Sequence, residues 1–286
     1  MQIVLTGIAI FIRIFTNSLT GVFQKKLTLQ KETPAFINFG NYFILAIFSL
    51  IALFFIPEIE LKNGFWLYAL LGGITGALCN YFMTEALKFG KLSVLGPINS
   101  YKAIVGMIFS IFLLGEFPSL IGLLGVVLII AGSYFIFDTL NFFEILKKKD
   151  VRYRFYALFF SALEAVFIKK VILLSSISMS VIISFILGAV FSYFIFTGGK
   201  IKKIKFPTSK NNIFYFLCAL SFGLMTISTA YVFKHMNVTY ALSLFQLSVI
   251  LNILLGWKIF REKNIIKKLL GAIIIITGAV IIIFNS

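Results

Sequence analysis

Charge is what this sequence has least of. Only 13% of its 286 residues are charged and only 10 are acidic, where a water-soluble domain carries roughly 25% charged residues. A chain so poor in polar surface must turn most of itself toward lipid or toward its own interior. Histidine is nearly absent too: His235 stands alone, and Asp138 and Asp150 are the only aspartates. Both aspartates fall in one polar connection, which excludes a His/Asp metal cluster within a membrane and leaves no acid–base set for an enzyme. The two cysteines, Cys79 and Cys218, lie inside apolar runs and match no metal-ligand spacing. They read as small buried hydrophobes. No phosphate-binding loop of the Walker type occurs, which removes ATP as a direct energy source. No cofactor is therefore expected.

What the sequence has in abundance is apolar length. It is 60% hydrophobic with 35 phenylalanines, and its mean hydropathy is +1.04. A helix needs about 20 mainly apolar residues to cross the hydrocarbon core. Ten stretches meet that need, near 3–23, 34–56, 65–87, 92–114, 119–137, 153–174, 177–196, 212–233, 238–257 and 266–284. The runs are continuous and not alternating, so helices are predicted over a barrel. Met1 to Phe11 has no basic start and Arg13 interrupts the apolar stretch, so this segment reads as part of the first span and not as a cleaved signal. The net charge of +16 would suggest nucleic acid in a soluble protein. Here lysines flanking the spans explain it, and the partners expected are lipid and a small-molecule substrate, with no nucleic acid. One chain can suffice; a homo-oligomer is compatible with the sequence.

The longest connection, Asp138 to Arg152, divides the chain near its middle. Leu140, Phe143 and Leu146 within it suit a short amphipathic piece on the membrane surface. On either side the halves match. Residues 84–134 align with 230–280 at a constant offset of 146, placing Lys88 on Lys234, Ser93 on Thr239, Glu116 on Glu262, Gly125 on Gly271 and Gly132 on Gly278. Val22-Phe23 and Lys25-Lys26 fall on Val166-Phe167 and Lys169-Lys170 at an offset of 144. Such self-similarity marks a duplication. Repeats over 1–142 and 150–286 with five spans each make the second copy enter the membrane from the opposite side. The expectation is an all-α membrane protein of ten transmembrane helices in two inverted five-helix repeats, an architecture that favours alternating access.

The segment EALKFGKLSVLGPINSYKAIVGMIFSIFLLGE, then LIGLLGVVLIIAGSYFI, with its second copy YALSLFQLSVILNILLGWKIFRE and KKLLGAIIIITGAVIII, resembles the drug/metabolite transporter superfamily, specifically its EamA-type ten-helix members. The first copy fits at Pro97, Gly115-Glu116, Gly125 and Gly132. The second departs, with Ser243 in place of Pro97 and Phe260-Arg261-Glu262 in place of Leu-Gly-Glu. The resemblance implies a secondary transporter in the inner (plasma) membrane of a bacterium and leaves the substrate open. A small polar or zwitterionic, amino-acid-like metabolite is the leading expectation, with export coupled to protons. A lipid-linked flippase or a broad-specificity drug exporter is the alternative.

Ionisable groups at mid-membrane cost about 2.5 kcal/mol or more, so they line cavities or pair. Arg13, Lys102 and Glu164 lie near span centres. Arg13 offers a planar fork for a carboxylate or phosphate, Lys102 a point charge, and Glu164 a seat for an ammonium group or a coupling proton. A direct Arg13–Glu164 ion pair is the competing reading. Asn17, on the face of Arg13, extends the site with Asn38, Asn41, Asn80, Tyr81, Thr84 and Asn99, the last just after an expected kink at Pro97. Thr226, Tyr231, Ser243 and Gln246 are the counterparts in the second half. Glu85 reads as an interfacial charge paired with Lys88; Glu116 and Glu262 read as caps or gate contacts.

Orientation receives two answers. Connections odd in chain order hold 20 Lys and Arg, and even ones hold 4. The positive-inside rule then puts both termini outside, whereas the family resemblance implies cytoplasmic termini. By the charge count, both termini are expected outside.

Overall fold

The computed structural model describes residues 2–56, 60–115, 117, 119–134, 147–198 and 209–283. Glu116 and the amphipathic reading of Leu140, Phe143 and Leu146 lie outside them. The described residues are almost wholly helical, with no strand among them. In chain order they form α1 (Gln2–Leu29), α2 (Pro34–Leu53), α3 (Phe65–Phe89), α4 (Leu92–Ile98), α5 (Lys102–Leu114), α6 (Leu120–Tyr134), α7 (Lys149–Leu174), α8 (Ile177–Thr197), α9 (Ser209–His235), α10 (Val238–Phe245), α11 (Ser248–Phe260) and α12 (Ile265–Ile283). Six stretches, including α1, α2, α3 and α8, are long and apolar enough to cross a membrane by length and composition.

The solvent preference is inside out. Phe11, Phe112, Leu120 and Ile266 are 70–82% exposed, while Asn38, Asn41, Thr84 and Gln246 are fully buried. An apolar surface on this scale suits lipid and not water. In lipid each backbone group must be satisfied by the protein, which is why helix ends are capped from within. Thr33 accepts from the Phe36 amide at 3.4 Å with Pro34 opening α2. Ser176 accepts from the Met179 amide at 3.1 Å at the start of α8.

Both halves contain one broken span. After α4 a 3-10 turn, Asn99–Tyr101, leads into α5. The second break lies at Gln246 and Leu247, whose amides turn to Ser243 O at 3.0 Å and Leu244 O at 3.1 Å. The offset of 146 carries 99–101 onto 245–247, so the breaks are equivalent. Proline alone does not make them, since the second half has Ser243 at the matching position. Gln246 supplies the missing chemistry. Its backbone amide leaves Leu242 O, and its own side-chain Nε2 takes that carbonyl at 2.8 Å.

Packing repeats the same symmetry. Helix α3 runs along α7, and its equivalent α9 runs along α1; α4 meets α11 as α10 meets α5; α6 lies on α12. At the crossing of the broken spans, Gly96 lies against Asn252 and Gly106 against Leu242, and the offset of 146 turns the first pair into the second. Backbone meets backbone at Gly132, where a Cβ would stand 2.6 Å from Gly271 O.

Candidate functional site

The broken spans and the first and third helices of each half enclose a central cavity of about 130 Å³, room for on the order of ten waters. Helical periodicity explains who faces it. Helix α1 contributes Arg13, Asn17, Thr20 and Gln24, and α3 contributes Gly76, Cys79, Asn80 and Met83, spacings of three and four residues that share one face. Helix α7 adds Arg154, Ser161 and Glu164, and α9 adds Phe222, Met225, Thr226 and Thr229. Asn99 and Lys102 enter at the first break, Phe245 at the second.

Arg13 is the least satisfied of these groups. It is 7% exposed, its Nε and Nη1 have no hydrogen-bond partner, and its Cζ lies 4.6 Å from the centroid of Phe245. The direct ion pair with Glu164 that the sequence allows is not formed among the described residues, although Arg13, Lys102 and Glu164 stand near enough to interact electrostatically. Glu164 is held against Gly76: a Cβ there would meet its Oε1 at 2.6 Å and the Tyr42 hydroxyl at 3.2 Å. Only glycine leaves room for that carboxylate.

Amides brace the cavity. Gln24 Nε2 donates to Asn80 Oδ1 at 2.7 Å, Asn80 Nδ2 to Asn38 Oδ1 at 2.9 Å, and Asn38 Nδ2 to Ala77 O at 3.1 Å, a chain that ties α1, α3 and α2 together. Asn17 Nδ2 donates to Ser248 Oγ at 3.1 Å, which fixes α1 to the second break. Asn99 Nδ2 donates to Gln246 Oε1 at 3.2 Å, joining the two breaks to each other.

Of the residues singled out from sequence, Arg13, Asn17, Asn80, Asn99, Lys102 and Glu164 come together on this cavity. The others stand elsewhere. Gln246 sits one layer behind, engaged by Asn99 and Leu242. Asn41 is buried between α2 and α9, donating to Cys218 Sγ at 3.3 Å. Tyr81 lies against Phe82 with ring centroids 5.2 Å apart, and Tyr231 against His235 with ring centroids 4.7 Å apart. Arg154, counted from sequence among the connection cations, belongs to the cavity; it is 7% exposed and donates from Nε to Leu95 O at 2.9 Å and from Nη1 to Met83 Sδ at 2.8 Å. Projection of the Glu164 face would have found it, because Arg154 and Ser161 are seven apart and Ser161 and Glu164 three. Thr20, Gln24 and Tyr42 line the cavity as well, and Thr20 and Gln24 follow from continuing the Arg13–Asn17 face along α1.

A second polar cluster grips one end of the cavity. Glu262 accepts from the amides of Leu92 and Ser93, each at 2.9 Å, and so caps α4 of the other half. Lys268 Nζ reaches Ser93 Oγ at 2.5 Å. Lys25 donates to Gly90 O. Its equivalent Lys169 donates to Phe233 O at 2.5 Å and Met236 O at 3.0 Å, so in each half a lysine of the first helix caps the third.

Among known proteins, a solved crystal structure of another chain superposes with a TM-score of 0.70 at 14% identity, over 96% of this chain and 95% of that one. That likeness shows a shared fold. No curated protein matches in sequence. The model of the EamA-like transporter family matches residues 5–138 and again 153–284. Two copies of that pattern, folded around one polar cavity between apolar outer faces, make this chain an integral membrane protein that belongs to the EamA-like transporter family.

Proposed function

We propose that the protein is a secondary transporter of a small polar or zwitterionic, amino-acid-like metabolite. Its ten spans form two five-helix repeats, 1–142 and 150–286, of opposite orientation. Alternating access then follows from the symmetry, because each repeat can adopt the other's conformation and close the opposite face. The observation that carries this reading is Arg13, buried in the central cavity with Nε and Nη1 unpaired. A buried cation without a partner is costly, and a substrate carboxylate supplies the missing acceptors in bidentate form. Glu164, seated against Gly76, takes the ammonium group or the coupling proton. The cavity is complete within one chain, so a monomer suffices. Charge distribution favours termini outside an inner (plasma) membrane, as in a bacterium.

The test is uptake or counterflow of a metabolite panel in proteoliposomes, with and without an imposed pH gradient. Glu164→Gln abolishes accumulation driven by the gradient, and Arg13→Gln reduces transport of every carboxylate. Full activity of both variants rejects the site. A second reading, a broad-specificity exporter of amphiphilic compounds, draws on the apolar side chains of Phe222, Met225 and Phe233 on α9. Competition by unrelated lipophilic cations in the same assay would favour it.

A further inference from the structure

We infer that the central cavity selects a small organic anion: a compound with more acidic than basic groups, two carboxylates for instance, and a short hydrocarbon body. This rests on the transport reading above and narrows its substrate to molecules whose acidic groups outnumber their basic ones, setting neutral zwitterions aside.

Three cationic side chains, Arg13, Lys102 and Arg154, face the cavity, and a single carboxylate, Glu164, opposes them. None of the three is neutralised by an ion pair among the described residues. Arg13 Nε and Nη1 are unpartnered and one face of its guanidinium is covered by Phe245. Arg154 donates to Leu95 O and Met83 Sδ, both uncharged. The cavity thus keeps an excess of two positive charges. A neutral zwitterion cancels its own charge and leaves that excess in place, whereas a dianion removes it. The second half lines part of the cavity with Phe222, Met225, Phe233 and Phe245. Low-dielectric walls focus the field of the cations into the cavity. The same walls receive a hydrocarbon body, with its acidic groups directed at Arg13 and Lys102.

Cys79 is a reporter already in the wall of this cavity, and Cys218, the other cysteine, is fully buried behind Asn41. The full chain is reconstituted in phosphatidylcholine liposomes, whose surface is uncharged. Modification of Cys79 by a negatively charged and a positively charged methanethiosulfonate is then followed by intact mass, with Cys218→Ala as a control for site. The anionic reagent reacts about tenfold faster or more, the gain expected of a focused cleft, and Lys102→Gln moves the ratio toward unity. Equal rates, or faster reaction of the cationic reagent, overturn the anion selection and leave the transport site standing. If neither reagent reaches Cys79 in the folded protein, while both react after denaturation, the transport site itself is overturned. A length-matched series gives an independent readout in thermal unfolding: adipate, adipamide and hexamethylenediamine. Adipate raises the midpoint most. A larger rise with the amide or the diamine overturns the inference.

Discussion

The two halves line one cavity with matched positions and unmatched chemistry. Asn17, Thr20, Gly21 and Gln24 of α1 fall at an offset of 144 on Ser161, Glu164, Ala165 and Ile168 of α7, and all eight face the cavity. At an offset of 146, Gly76, Cys79, Asn80 and Met83 of α3 fall on Phe222, Met225, Thr226 and Thr229 of α9, again all lining. Yet the first half brings four amides, Asn17, Gln24, Asn80 and Asn99, with Arg13 and Lys102, whereas the second brings Arg154 and Glu164 on α7 and, on α9, Phe222, Met225 and Phe233 beside two threonines. Arg13 itself corresponds to Ala157, which is fully buried. Backbone symmetry pairs the lining positions of the two halves one to one. The side-chain asymmetry sets the amides of α1 and α3 against the phenylalanines and methionine of α9.

The largest test of this contrast is charge removal. Arg13→Gln lowers transport about 100-fold, the scale of a charge-assisted hydrogen bond lost from a buried site. Ala157→Gln, at the equivalent position of the other half, does not restore it. Proteoliposome uptake measures both. Next comes Gly76→Ala, which drives a methyl into Glu164. Overpacking of this kind costs about 1–3 kcal/mol, read as a lower unfolding midpoint, and transport falls with it. Wild-type stability and uptake in this variant would remove Glu164 from beside α3.

The broken spans offer a finer comparison. Gln246→Leu leaves Leu242 O without its side-chain donor and strips Asn99 of its acceptor. A buried polar group left unpaired costs about 1–3 kcal/mol, measurable by thermal or denaturant unfolding. Pro97→Ala has a smaller effect, because the equivalent span breaks with Ser243 in that place. If Pro97→Ala proves the more damaging, the two breaks are not equivalent in cause. The smallest effect is at the turn after α11. Arg261 holds φ +53° where the first half has Gly115 at φ +68°, and a left-handed non-glycine residue costs about 1–2 kcal/mol. Arg261→Gly therefore stabilises by under about 1 kcal/mol after the entropy of glycine is counted. A fall in midpoint would mean that the Arg261 side chain contributes more than its backbone strain removes.

Legibility from sequence followed the physics of each signal. Continuous apolar runs report lipid contact directly, so the helices at 34–53, 65–89 and 177–197 lie close to the predicted spans. Arg13, Lys102 and Glu164 were visible because an isolated charge in an apolar run is conspicuous. Arg154 was not, because Arg152 and a lysine cluster just before it made it look like one more flanking cation. Only its register on α7 separates it from them. Gln246 and Asn41 were read as ligands from residue type, and the carbonyl of Leu242 and the thiol of Cys218 that engage them depend on a break and a helix contact invisible along the chain. The kink attributed to Pro97 had a twin without proline, because a glutamine side chain can cap its own helix.

Glu262 has a consequence for timing. A carboxylate of the second half grips the first two amides of α4 in the first half, with Lys268 on the neighbouring hydroxyl. For the halves to part at that end, as the proposed alternating access requires, both bonds to Glu262 must break and a carboxylate and two amides must find water. Glu262 is then a latch under that proposal, and Glu262→Gln is expected to shorten the dwell on that side.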